Sequence, residues 1–342
     1  EQALFALQKA RALNPRSVVA CFYAADAHVQ RALRLTNREG EAGPSWAKAL
    51  ELYQQGIALQ PGLPHLYNGA GEVLREQARA AWERGEAPFP LLARAQSVYE
   101  KALALAPEQG FAQNNLGKTH AERARYRLSL GQSPREDLLL ARRFYQESRK
   151  YIPDHAIPWA NLAELWNIQA THEWESQLDP EASLMKSLDA AREALERNPE
   201  LDDAWLQRGE ALALQAHWRA RKSQPLPRDF ERAEQAFQRA MELTPDNPQF
   251  QLAASRFYLR WATGRLDSER QEFLPLLTRG LTLVEKVLMS RPSWAAARAL
   301  REGFRMRLSP GQAEAQEELR RILARNPQLK QEWSGESDAH LP

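Results

Sequence analysis

The sequence predicts an all-α chain built as an α-solenoid of tandem helical hairpins, and two observations carry that expectation. Eight times an Ala- and Leu-rich segment of helical period runs into a proline: Pro15, Pro61, Pro107, Pro153, Pro199, Pro245, Pro292 and Pro327. Successive spacings are 46, 46, 46, 46, 46, 47 and 35 residues, and a fixed period in this range marks a stacked repeat architecture. The second observation is that the same small and large residues recur at helical offsets on both sides of each proline.

Forward from the proline, the tenth residue is Ala25, Gly71, Gly117, Ala163, Gly209 and Ser255, and the seventeenth is Ala32, Ala78, Ala124, Ala170, Ala216 and Ala262. Between them stand His28, Leu74, His120, Trp166, Leu212 and Tyr258. These offsets share one helical face, so each unit opens with a helix A that lets a neighbour approach at its small residues and fills the gaps with its large ones. Backward from the proline, the twelfth residue is Ala3, Ala49, Ala95, Ala141, Ser187, Ala233, Gly280 and Ala315. The eighth is Leu7, Tyr53, Tyr99, Tyr145, Ala191, Phe237, Val284 and Leu319, and the fifth is again mostly small. They define a helix B, ended by the proline that cannot continue it.

Small, aromatic, small, then proline on helix B, with Asn114-Asn115-Leu116-Gly117 in helix A, resembles the tetratricopeptide repeat family over about residues 1–327. The resemblance implies a right-handed superhelix with a polar groove along its concave side. The expected organisation is a lone helix B over 1–14, six long repeats over 15–292, one repeat of ordinary length over 293–327, and a polar, disordered tail over 328–342. The family period is about 34 residues, so the long repeats carry roughly twelve more. Those fall between the two motifs, where helix A is expected to run on by about two turns into breaks at Gly40 to Pro44, Gly85 to Pro90, Gly131 to Pro134, Leu178 to Pro180 and Pro225 to Pro227. Units of 46 residues also resemble the C-terminal repeat regions of bacterial serine/threonine protein kinases. Neither a Gly-rich phosphate loop nor a His-Arg-Asp or Asp-Phe-Gly segment occurs here, so a kinase domain is expected upstream of Glu1.

Composition narrows the function classes. Basic residues number 46 and acidic ones 44, a net charge of +2, so no global field selects nucleic acid or anionic lipid. No apolar run approaches a membrane span. A single cysteine, Cys21, excludes an internal disulfide framework and fits a reducing cytoplasm, the expected location. Cys21 stands where Tyr67, Trp159 and Trp205 stand in other units and reads as a small core residue.

Residues able to carry chemistry do not converge. Trp159 and Trp166 fall at packing offsets, and Trp82 and Trp174 near the end of the lengthened helix A, so core packing is preferred over an aromatic cage. His172-Glu173-Trp174-Glu175 opens like a zinc-protease helix, but Ser176 stands where a second histidine is required. No metal or cofactor is expected, and His28 and His120 read as core histidines. The basic stretch from Arg123, Arg125 and Arg127 through Arg135, Arg142, Arg143, Arg149 and Lys150 is interleaved with acids and reads as a solvated face.

The partner-binding candidates sit on helix A, where the resemblance places ligand contacts seven, eight and eleven residues after the proline. They are Asn68, Asn114, Asn115, Asn161 and Gln207, with Glu72, Lys118, Glu164 and Glu210. Amides donate and accept, so a solvent-facing row of them suits an extended peptide, and the acids favour a neutral-to-basic one. Function is therefore expected to be non-enzymatic protein or peptide binding, the docking or sensing arm of a larger bacterial signalling protein. Self-association through uncapped ends stays open, as do an envelope or glycan-assembly scaffold and an enzyme on an α-solenoid.

Overall fold

The computed structural model describes residues 2–222, 227–263, 270–309 and 311–330. The expected break at 225–226 and the tail from 331 onward lie outside them. Within them the chain forms fifteen α-helices: α1 Gln2–Leu13, α2 Val18–Thr36, α3 Gly43–Leu59, α4 Pro64–Glu83, α5 Phe89–Leu105, α6 Gly110–Ser129, α7 Arg135–Tyr151 and α8 Ile157–Glu175. There follow α9 Glu181–Arg197, α10 Asp202–Arg221, α11 Pro227–Leu243, α12 Pro248–Thr263, α13 Arg270–Ser290, α14 Ala295–Leu308 and α15 Ala313–Arg325, then a 3-10 turn, Pro327–Leu329. The described residues contain no strand, and none of their helices is long and apolar enough to cross a membrane.

Seven of the repeated prolines fall in the turns that follow the odd-numbered helices from α1 to α13, and Pro327 opens the 3-10 turn after α15. The residue before the proline is held extended, as its ring demands: Gln60 has φ −145° and ψ 83°, Ala106 φ −149° and ψ 89°, Asn198 φ −145° and ψ 96°. A side chain six places on locks the turn. Tyr67 Oη, Gln113 Nε2, Trp205 Nε1 and Gln251 Nε2 donate to the carbonyls of Pro61, Pro107, Pro199 and Pro245 at 3.0, 3.2, 2.9 and 2.6 Å. At the sixth position the first unit instead has Cys21, fully buried.

The lengthened helix A is plain: α4, α6 and α10 have 20 residues and α2 and α8 have 19, while α14 has 14. Each of α3, α5, α7, α9 and α11 has 17. Helix A ends in a left-handed residue at Glu39, Gly85, Gly131 and Gln177. The next amide returns to a carbonyl five residues back, as in Glu86 N to Ala81 O (2.9 Å) and Gln132 N to Arg127 O (2.9 Å), satisfying helix-end acceptors.

Two compact units can be separated, residues 1–123 with 143–153, and residues 124–142 with 154–342. In the first, Tyr53 and Tyr99 are buried against glycine faces. A Cβ added to Gly71 would stand 2.6 Å from the Tyr99 ring, and one added to Gly69 would collide with Tyr53. The second unit repeats the device with Phe237 on Gly209 and has the largest cluster, which includes Leu212, Phe230, Phe257, Tyr258 and Phe304. Gln328 and Leu329, the start of the expected tail, are buried, and Leu329 packs with Ala299, Leu319 and Ile322.

Candidate partner-binding face

In the first unit the helix-A side chains of α2, α4 and α6 meet as a charged strip. Asp26 accepts the hydroxyl of Tyr53, yet burial outweighs that bond and raises its carboxyl above the ordinary range. Glu72 is exposed. One turn on, Arg75 is only 4% exposed and bonds Glu76 and Glu122, each at 2.6 Å. Arg79 adds contacts to Glu76 at 2.8 Å and Glu83 at 3.4 Å. Burial opposes ionisation of Glu76, but the guanidiniums of Arg75 and Arg79 overcome it and hold the carboxyl at about 2. Lys118 stands within the field of Glu72, Glu76 and Glu122.

The amides of this unit are engaged with one another. Asn115 Nδ2 donates to Asn68 Oδ1 at 3.1 Å, from α6 to α4, and Asn114 is buried beside it, with Nδ2 3.5 Å from Asn115 Oδ1. The strip therefore couples neighbouring helices A as well as facing outward.

The second unit carries the remaining candidates. Arg125 bonds Glu164 at 2.7 Å, and Glu210, half-buried, has its carboxyl raised by burial despite Arg125 and Arg256 nearby. Asn161 and Gln207 are each 7% exposed. Asn167 Nδ2 donates to the Gln207 carbonyl at 2.9 Å and to its Oε1 at 3.1 Å. His217 packs edge-on to Phe230 at 5.1 Å, and burial, aided by Arg260, lowers its ring to about 3.

These contacts correct one expectation. Asn114, Asn161 and Gln207 do not face solvent: Gln207, at the eighth position of its helix A, is bonded by Asn167 of the preceding helix A, and Asn114, at the seventh, lies against Asn115. The basic stretch is likewise not a plain solvated face. Arg127 bonds Asp137 at 2.8 Å, Arg123 bonds Gln96 at 2.9 Å, and Arg142 lies 4.4 Å above the Trp166 ring. The tryptophans pack as expected: Trp166 is buried between Arg142 and Lys186, the latter 4.5 Å from its ring, and Trp174 leans on Trp218 at 5.2 Å. His120 is buried and stacks on Phe144 at 5.6 Å.

Solved structures share this arrangement of hairpins. A human IFIT1 dimer with m7Gppp-AAAA matches 95% of this chain and 67% of its own, at 13% identity and a TM-score of 0.55. The APC/C hetero-tetramer Cut9-Hcn1 matches 89% of this chain at 12% identity and a TM-score of 0.55, and this chain spans 46% of that one. The chain has the tetratricopeptide-repeat fold. A thermophilic protein of that type, TTC0263 of Thermus thermophilus, aligns over 69% of this chain and 100% of its own at 18% identity and a TM-score of 0.49. No family model and no curated protein matches the sequence.

Among the described residues no three His, Cys, Asp or Glu side chains converge on a metal-sized site. The sequence reading missed Arg75, Glu76 and Glu122. Their signal was present as charged residues at helix-A positions where other units have Ala121 or Leu259, for Arg75, and Ile168 or Leu214, for Glu76 and Glu122, but helical offset alone does not reveal burial.

Proposed function

We propose that the chain is a non-catalytic protein-interaction scaffold whose helix-A face, in the first unit, takes an extended basic segment of a partner. The observation that carries this reading is the state of Glu72. It is exposed on α4, while the neighbouring acids Glu76 and Glu122 are neutralised by Arg75, so Glu72 remains the accessible carboxylate of the strip. Burial first, and then repulsion from Glu76 and from Asp26 on α2, raise its carboxyl above the ordinary range against the opposing pull of Arg75 and Lys118. A lysine or arginine of the partner relieves that repulsion, and Asn68 and Asn115 offer main-chain contacts once their mutual bond opens. In the second unit Asn161, Glu164, Gln207 and Glu210 bear the same offsets, with Asn114 and Lys118 completing the set in the first. The role as docking or sensing arm of a bacterial serine/threonine kinase rests on the resemblance of the 46-residue repeats. The coding sequence upstream decides it: a region without a Gly-rich loop and catalytic-loop Asp removes the kinase arm and leaves the scaffold.

Panning a random-peptide library on the chain tests the binding reading. Peptides rich in Lys and Arg should be enriched, and their affinity should fall with salt, since exposed charges are screened within about 8 Å at physiological ionic strength. Glu72→Gln should weaken them several-fold. Enrichment of acidic or purely apolar peptides, or indifference to Glu72→Gln, contradicts the reading.

A further inference from the structure

The hairpin of α8 and α9 departs from the pattern of its neighbours, and the departure opens a cavity. At the ninth and eighth positions before the proline, α3, α5 and α7 carry Leu52-Tyr53, Val98-Tyr99 and Phe144-Tyr145, and α11 keeps Phe237 behind Ala236, whereas α9 has Ala190-Ala191. The aromatic volume lies on helix A instead: Trp159, Leu162 and Trp166 follow one another on a single face of α8. With Lys186 and Ala190 of α9 they line an open cavity of about 360 Å³, within the range of clefts that hold small ligands, roughly 300–1,000 Å³. Asn161 and Glu164 project from the opposite side of α8, so the cavity is separate from the helix-A face.

The acids at its rim are already engaged. Arg192 meets Glu196 at 3.0 Å, Glu193 at 3.4 Å and Asp189 at 3.9 Å, and Glu193 also takes Arg197 at 2.9 Å. Lys186 differs. Its ammonium rests 4.5 Å from the centre of the Trp166 ring, and among the described residues no carboxylate pairs with it. Arg142 lies 4.4 Å from the same ring, so two cations flank the indole that walls the cavity. A carboxylate arriving there gains a charge-assisted hydrogen bond from Lys186 without taking it from an ion pair.

We propose that this cavity binds an aromatic carboxylate, its ring lodged beside Trp159 and Trp166 over Ala190 and its carboxylate on the Lys186 ammonium. Burial of the ring against two indoles drives binding, and Lys186 sets the sign of the charge accepted. A free acid and the C-terminal aromatic residue of a polypeptide present the same two groups. Nothing in this site involves Glu72 or the charged strip of the first unit.

The indole N–H signals of the full chain are followed by heteronuclear NMR during titration with phenylpropionate, the Trp159 signal being assigned with Trp159→Phe. A saturable shift of that signal is expected. Phenylpropylamine, which exchanges the carboxylate for an ammonium, should bind more weakly by about tenfold or more, since like charges then meet at the rim. Lys186→Gln should weaken the acid by about fivefold or more through the lost charged hydrogen bond, with helicity unchanged because Lys186 is exposed. Ala190→Leu, which places the α3 residue in α9, should fill the cavity and abolish binding. A peptide ending in phenylalanine with a free carboxylate, set beside its C-terminal amide, separates the sources: binding by the free-ended peptide as tight as that of phenylpropionate assigns the site to polypeptide C-termini, and binding by the small acid alone assigns it to a free acid. No saturable shift of the Trp159 signal, equal binding of acid and amine, equal binding by Lys186→Gln, or binding retained by a folded Ala190→Leu chain overturns the proposal.

Discussion

Removing the guanidinium of Arg75 should be among the most damaging single changes in the first unit. Arg75→Met keeps most of the side-chain volume but withdraws both ion pairs, to Glu76 and Glu122 at 2.6 Å each. Glu76 retains Arg79 at 2.8 Å. Glu122 loses its direct cation, although its side chain is only 13% exposed. Stranding one partner of a buried pair costs about 3–5 kcal/mol, whereas replacing both by apolar groups is often neutral. Arg75→Met should therefore be severe, and Arg75→Met with Glu122→Leu should recover most of the loss. Repeat arrays unfold in parts, so the assay is hydrogen exchange of α4 and α6 amides beside the urea midpoint. A loss below about 1 kcal/mol for Arg75→Met, or no recovery in the double variant, would show that the two charges are not coupled as described.

Two further outcomes follow from the packing and the charges. Gly71→Ala in the full chain places a Cβ 2.6 Å from the Tyr99 ring, and overpacking of this kind should cost about 1–3 kcal/mol in the urea midpoint; an unchanged midpoint would mean that the helices separate freely. His217 is lowered to about 3 from the ordinary histidine value of 6.5, so between those values the unfolded chain binds a proton that the folded one refuses. Stability contributed by the neutral ring is present above about pH 6.5 and is lost as pH falls toward 3. Between pH 6.5 and 4.5 the wild type should lose about 2–3 kcal/mol more than His217→Leu, at about 1.36 kcal/mol per unit; parallel pH profiles would refute the assignment.

Periodicity made the hairpins legible because prolines at a constant spacing can only mark chain turns, and small residues opposite aromatics can only mark close helix approach. The pairing of Tyr99 with Gly71 illustrates this: each was visible as a repeated offset, and the structure joins them. The site was legible only as a face. Gln207 and Asn115 were assigned to helix A correctly, but their hydrogen bonds run to Asn167 and Asn68, 40 and 47 residues away. A single-helix projection says nothing of what the preceding repeat places opposite. The lock on the turn was hidden for a related reason. Tyr67, Gln113, Trp205 and Gln251 differ in shape and look unrelated, yet each brings a donor to the same proline carbonyl.

Photocrosslinking from two positions decides whether the helix-A face of the first unit holds the partner. A benzophenone side chain replacing Glu72 on α4, or replacing exposed Ser97 on α5, is illuminated with a basic peptide recovered by panning. A covalent adduct from position 72, competed by unlabelled peptide, is expected, with none from position 97. Adducts from position 97 alone would place the partner on the helix-B side and refute the helix-A assignment.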